Sequence, residues 1–167
     1  MKRLAMALAS TLVAGAGLAV SAEMAGPDPH HGHMAAASAP PAAVAETRQL
    51  VRYPEPLRLQ TLANMRDHLS TLGQIQAALA AGAFDQASEL AERRLGMSSL
   101  EMHGASEVAA FMPQGMQDAG TAMHRAASRF AIVAKDASAT GELRPALASL
   151  AGLTESCVAC HAAYRLQ

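Results

Sequence analysis

From residue 56 to the end of the chain, apolar residues recur in steps of three and four, the spacing that lines one face of a helix. The first run covers 57–81 without an internal proline. Leu62, Met65, Leu69, Leu72, Ile75 and Leu79 make its stripe, Pro56 suits a first turn and Gly82 offers a C-cap. A second helix is expected from an N-cap at Asp85 through Leu90, Leu95 and Met102 to near Gly104. Phe111-Met112-Pro113-Gln114-Gly115 reads as a connection. A third helix follows, with Met116, Met123, Phe130 and Val133 on one face, and stops before Thr140-Gly141. The fourth opens near Glu142 and sets Leu143, Leu147, Leu150, Cys157, His161 and Tyr164 in a heptad-like register. No stretch alternates convincingly as a strand does. Four helices with short connections predict an all-α chain, an antiparallel four-helix bundle over 56–167.

The N-terminal part has a different pattern. Met1-Lys2-Arg3 is basic, residues 4–20 are apolar, and Val20-Ser21-Ala22 is a small-residue cleavage site, so 1–22 reads as a cleaved secretory signal. Residues 23–55 show no apolar period. They contain Gly26-Pro27-Asp28-Pro29-His30-His31-Gly32-His33 and then Ala and Pro, the composition of a flexible leader. His30, His31 and His33 could hold a copper, nickel or zinc ion weakly, although a solvated linker accounts for them as well. Signal removal takes two of the 13 basic residues and moves the net charge from −1 to −3. That balance argues against nucleic acid as a partner.

The only two cysteines of the chain lie in Cys157-Val158-Ala159-Cys160-His161. Cys-x-x-Cys-His is the attachment signature of a c-type haem. Two thiols reach two vinyl groups of one porphyrin, and the next imidazole reaches the iron. On a helix, positions i, i+3 and i+4 project from one face. A thioredoxin-like site would sit in a βαβ pattern and a zinc site would need a second ligand pair, and neither is visible. A bare disulfide leaves His161 unexplained. No His or Met follows His161, so a second protein ligand to the iron has to come from upstream. There is no Trp, with three Phe and two Tyr against ten Met. Side chains alone would fill such a core thinly, and a buried porphyrin would add apolar bulk. Export to the periplasm agrees with the motif, because that compartment is thiol-oxidising.

A helical domain of this size, with Cys-x-x-Cys-His six residues from its end followed by Tyr164-Arg165, resembles a class II cytochrome c, the cytochrome c prime family. The resemblance covers about Leu57 to Arg165, is specific at the last helix and is diffuse elsewhere. It implies one covalent haem c on Cys157 and Cys160, His161 as proximal iron ligand, and Tyr164 and Arg165 beside the haem. Many members of the family leave the sixth position of the iron to an apolar side chain and bind NO or CO. A low-spin branch offers Met from the first helix and carries electrons.

In Asn64-Met65-Arg66-Asp67-His68-Leu69, Met65 lies on the apolar stripe near the start of the first helix. In an up-down-up-down bundle that level adjoins the end of helix four, so Met65 is the candidate distal ligand and His68 its backup. Met as ordinary core filler is the competing reading. His103 and His124 read as surface or packing residues, and Arg58, Arg66 and Arg125 as candidates to meet propionates.

The expected function is therefore electron transfer by a periplasmic monohaem protein with periplasmic redox partners. It would have no membrane association after signal cleavage, and the resemblance allows a homodimer. The alternatives are a five-coordinate binder of NO or CO and a metal-binding module built on the His-rich leader. No triad, carboxylate pair or phosphate loop suggests a turnover enzyme.

Overall fold

The computed structural model describes residues 45–167. The chain there is mostly helical and belongs to the all-α class. A short strand β1 (Gln49–Val51) leads into α1 (Glu55–Ala80), α2 (Phe84–Arg94), a 3-10 turn at Met97–Ser99, a short α3 (Ala105–Ala109), α4 (Gln114–Thr140), α5 (Leu143–Ala163) and a closing strand β2 (Tyr164–Leu166). The expectations for residues 1–44 (signal, most of the leader and its three histidines) lie outside the described residues.

The helix ends follow local chemistry. Pro54 and Pro56 flank the start of α1, where the first amides have no intrahelical partner to lose. Gly82, at φ +70°, turns the chain out of α1, and the Ala83 amide returns to the Ala78 carbonyl at 2.8 Å. Gly141, at φ +75°, ends α4 in the same left-handed way, with its amide on Ala137 O.

α2 packs on α1, α4 on α2, and α5 on α4. Small residues bring α2 and α4 together: Ala87, Ala91, Ala127 and Ala134 are fully buried. The helices approach closely enough for Ser88 Oγ to donate to Ala131 O at 2.7 Å. Ile75, Leu79, Leu95, Phe130, Leu150 and Leu153 complete this core. Among the described residues, α1 against α5 is not one of the closely packed helix pairs.

Three expectations need correction. Helix two stops at Arg94 rather than near Gly104. Leu95 leaves helical geometry at φ −128°, Gly96 is extended, and the Ser99 hydroxyl donates to Gly96 O at 2.7 Å, which holds the 3-10 turn that follows. The face of α1 is rotated from the one expected. Leu69 is 72% exposed, while Thr61, His68 and Thr71 point inward with Ile75, Ala78 and Leu79.

Two strands also exist where none was expected. β1 pairs in parallel with β2, Gln49 opposite Tyr164 and Val51 opposite Leu166, and Gln167 N donates to Val51 O at 3.0 Å. The expected leader boundary at 55 therefore falls too late. Val51 and Tyr53 are buried with Val108 and Met116, and Leu57, Tyr164 and Leu166 pack against them. This second, smaller cluster ties the entrance of α1 to the exit of α5.

Candidate functional site

Cys157, Cys160 and His161 occupy the last two turns of α5. Both thiols are free and half-buried, and burial pushes both up from the usual thiol range. Cys157 packs against the main core, and its Sγ reaches the Leu153 carbonyl at 3.7 Å. His161 is exposed. The helical spacing expected of the pentapeptide is thus present, with one edge on the core and the other toward solvent.

The next residues depart from expectation. α5 ends at Ala163, and Tyr164 is extended at φ −130°, ψ 150°. Arg165 is therefore in β2 opposite Leu50 rather than one helical turn beyond His161. Its Nε is buried without a hydrogen-bond partner, with Glu46 at 3.8 Å. Tyr164 packs in the small cluster, and its hydroxyl lies where a side chain on Gly115 would be, 2.5 Å from that Cβ position. Tyr53, in the same cluster, has its phenol pushed up to about 12, first by burial and then by the Cys160 charge nearby.

Met65 is half-buried and lines a cavity of about 170 Å³ between α1, the broken segment after α2, and the first half of α4. Thr61, Asn64, His68, His103, Gln117 and His124 are also on its wall, whereas Cys157, Cys160 and His161 are not. Of the charges that act on His68, His161 has the smallest effect. Arg58 is engaged by Glu55 at 2.8 Å, and Arg66 and Arg125 are exposed.

Sequence reasoning missed a cluster of three imidazoles. His68, His103 and His124 are 8%, 7% and 8% exposed, with ring centroids 4.6 Å apart for 68–103 and 5.9 Å for each of the other two pairs. The surface alternative for His103 and His124 is thereby overturned. The break in helix two is the cause. Gly104, at φ +64°, turns the chain, and Asn64 Nδ2 donates to the His103 carbonyl at 2.8 Å, which carries His103 in against α1. His124 Nδ1 donates to Leu95 O at 2.7 Å, a carbonyl freed by the end of α2, and this leaves Nε2 as the ring's acceptor.

Burial, followed by the charges of His103 and His124, drives His68 down to about 4. His103 and His124 are also lowered, in each case first by burial. The one sequence signal for this cluster was four histidines in a helical domain otherwise poor in aromatic rings.

Comparison with models of known families, with curated proteins and with solved structures gives no match.

Proposed function

We propose that this chain is a periplasmic monohaem c-type cytochrome of the class II kind, an electron carrier. Cys157 and Cys160 would hold haem c through thioethers, and His161 would be the proximal ligand. α1, α2, α4 and α5 would serve as the four helices of an antiparallel bundle. The observation that carries the reading is the pentapeptide itself: two free thiols and an imidazole in helical i, i+3, i+4 spacing at the end of α5.

The surroundings suit a flat apolar group. α5 is, among the described residues, the one helix long and apolar enough to cross a membrane, yet little of it is buried. Leu147 and Val158 are exposed on it, and α1 does not pack closely against it. The β1–β2 pair brings the entrance of α1 to the end of α5. The cavity beside Met65 is smaller than a porphyrin, so the group would lie along α5 with only its distal side toward that cavity.

When bound, haem supplies the one-electron redox couple. The chain's own part is ligation at His161, a thioether offered by Met65, and exclusion of water by Tyr53, Tyr164 and Leu57. Met ligation raises the potential relative to bis-His. A second reading, binding of NO or CO, is favoured by the cavity itself, which leaves room for a diatomic beside Met65.

The test is the absorption spectrum of the purified protein, ferric and ferrous, with and without CO. Sharp low-spin ferrous bands unmoved by CO, becoming high-spin and CO-sensitive in Met65→Ala, agree with the electron carrier. Ready CO binding by the parent moves the reading to gas binding. A protein that acquires no haem when expressed with the attachment machinery ends both.

A further inference from the structure

Three buried imidazoles share one wall of a cavity that also carries a second unpartnered polar atom. His103 Nε2 and Thr61 Oγ1 are both buried without a hydrogen-bond partner, in residues 7% and 5% exposed. Orphaned polar atoms cost stability unless something not belonging to the chain satisfies them.

A different pair of atoms, the facing nitrogens of His68 and His103, is placed for an ion. His68 Nε2 and His103 Nδ1 are 3.4 Å apart, long for an N–H···N hydrogen bond. Two nitrogens bound to one tetrahedral ion at about 2.0–2.1 Å stand about 3.3–3.4 Å from each other. The third ring, His124, has its Nδ1 fixed on the Leu95 carbonyl at 2.7 Å. That outer hydrogen bond sets the tautomer and orientation of a metal-ligating histidine and leaves Nε2 to bind.

We propose that His68, His103 and His124 form a binding site for one divalent transition-metal ion of the imidazole-preferring kind, zinc or copper, separate from the Cys157-to-His161 motif. Three neutral nitrogen ligands with the cavity at the fourth position make an open site of the type that keeps a water or a small exogenous ligand. Among the described residues, no three His, Cys, Asp or Glu side chains are already placed to hold a metal ion. Binding would have to draw His124 onto the His68–His103 pair.

The ligands are available at neutral pH, since burial holds all three imidazoles below their ordinary range. The charged groups that bear on them are few. Asp67 favours protonation of His68 and His103, but its carboxylate is engaged by Arg94. Arg94 opposes protonation of His103, and His161 opposes that of His68.

The test uses the mature chain as isolated, stripped with a chelator and titrated with Co²⁺ as a visible probe and then with Zn²⁺. One ion per chain should bind with the absorption of a four-coordinate nitrogen-rich site, and binding should persist below the ordinary imidazole value and be lost as pH falls toward about 4. His103→Gln and His124→Gln should each weaken it by at least about 100-fold. The triple variant His30→Ala/His31→Ala/His33→Ala should bind as the parent does.

Should the cluster variants fail to fold, the parent still decides the matter. In ¹⁵N-histidine spectra, Zn²⁺ must move the ring signals of residues 68, 103 and 124. Absence of stoichiometric binding, undiminished binding in the folded cluster variants, or shifts confined to the leader histidines or His161 would overturn the proposal.

Discussion

The two halves of α4 face different worlds. From Ala126 to Ala137 its inner side is alanine and Phe130, closed against Ala87, Ala91, Leu150 and Leu153 with almost nothing exposed. From Gln117 to His124 one side lines a cavity, contributing His124 opposite two further imidazoles and an unpartnered hydroxyl on Thr61. One stretch of helix thus serves a dry, close-packed end and an open, polar end. The dry end can carry the stability of the fold, which leaves the other free to hold groups that stability alone would not select.

The largest effect that would test this contrast is at the dry end. Phe130→Ala removes the largest fully buried side chain and should cost about 3–5 kcal/mol in denaturant unfolding. A loss below about 1 kcal/mol would mean that the dry end is not the stabilising one.

Next comes acidity at the open end. The folded chain holds His68 near 4, whereas an unfolded one protonates it at about 6.5. Stability is therefore complete above about 6.5 and is lost progressively as pH falls to about 4, on the order of 3 kcal/mol if the whole shift is expressed. His68→Gln should flatten that part of the stability-versus-pH curve. A curve equally steep in the variant would place the acid sensitivity elsewhere.

Gly104→Ala should cost about 1–3 kcal/mol, since the left-handed backbone resists a side chain and the new Cβ would lie 2.5 Å from Gln60 Nε2. It should also shift the His103 ring resonances, which a purely local strain would leave in place. The smallest effect has the opposite sign. Thr61→Val replaces an unpartnered buried hydroxyl by an isostere and should be neutral or stabilising by up to about 1 kcal/mol. Clear destabilisation would reveal a partner for that hydroxyl.

The long helices were legible because α1, α4 and α5 each carry a sustained apolar period between Pro or Gly stops. The inward face of α1 was not, since apolar side chains lie around much of its first half. Leu59 and Leu69 compete with Leu62 and Met65 in any periodicity, and the face that packs includes Thr61, His68 and Thr71. The break after Arg94 was hidden for a related reason. Leu95 and Met102 continue the period, and only the neighbours Gly96 and Gly104 report the turn. The strands are three residues each, too short to show alternation, and they form only by pairing with each other. At the candidate site, the helical spacing of the last pentapeptide was readable. The meeting of three histidines from α1, the broken segment and α4 is tertiary, so no local pattern announces it.

The β1–β2 pair also sets a schedule. It joins the first and last described elements, so forming it closes the longest loop the fold contains. Contacts across such separations come late, because the chain must give up the most freedom before they return anything. While that clasp is open, Tyr164 and Leu166 are undocked and the end of α5 is free to fray, which bares the Cys157 and Cys160 thiols to whatever must reach them. Once it shuts, both sulfurs lie half-covered, Cys157 against the main core and Cys160 near Tyr53. The order of folding, rather than a moving lid, would then decide when those sulfurs can react.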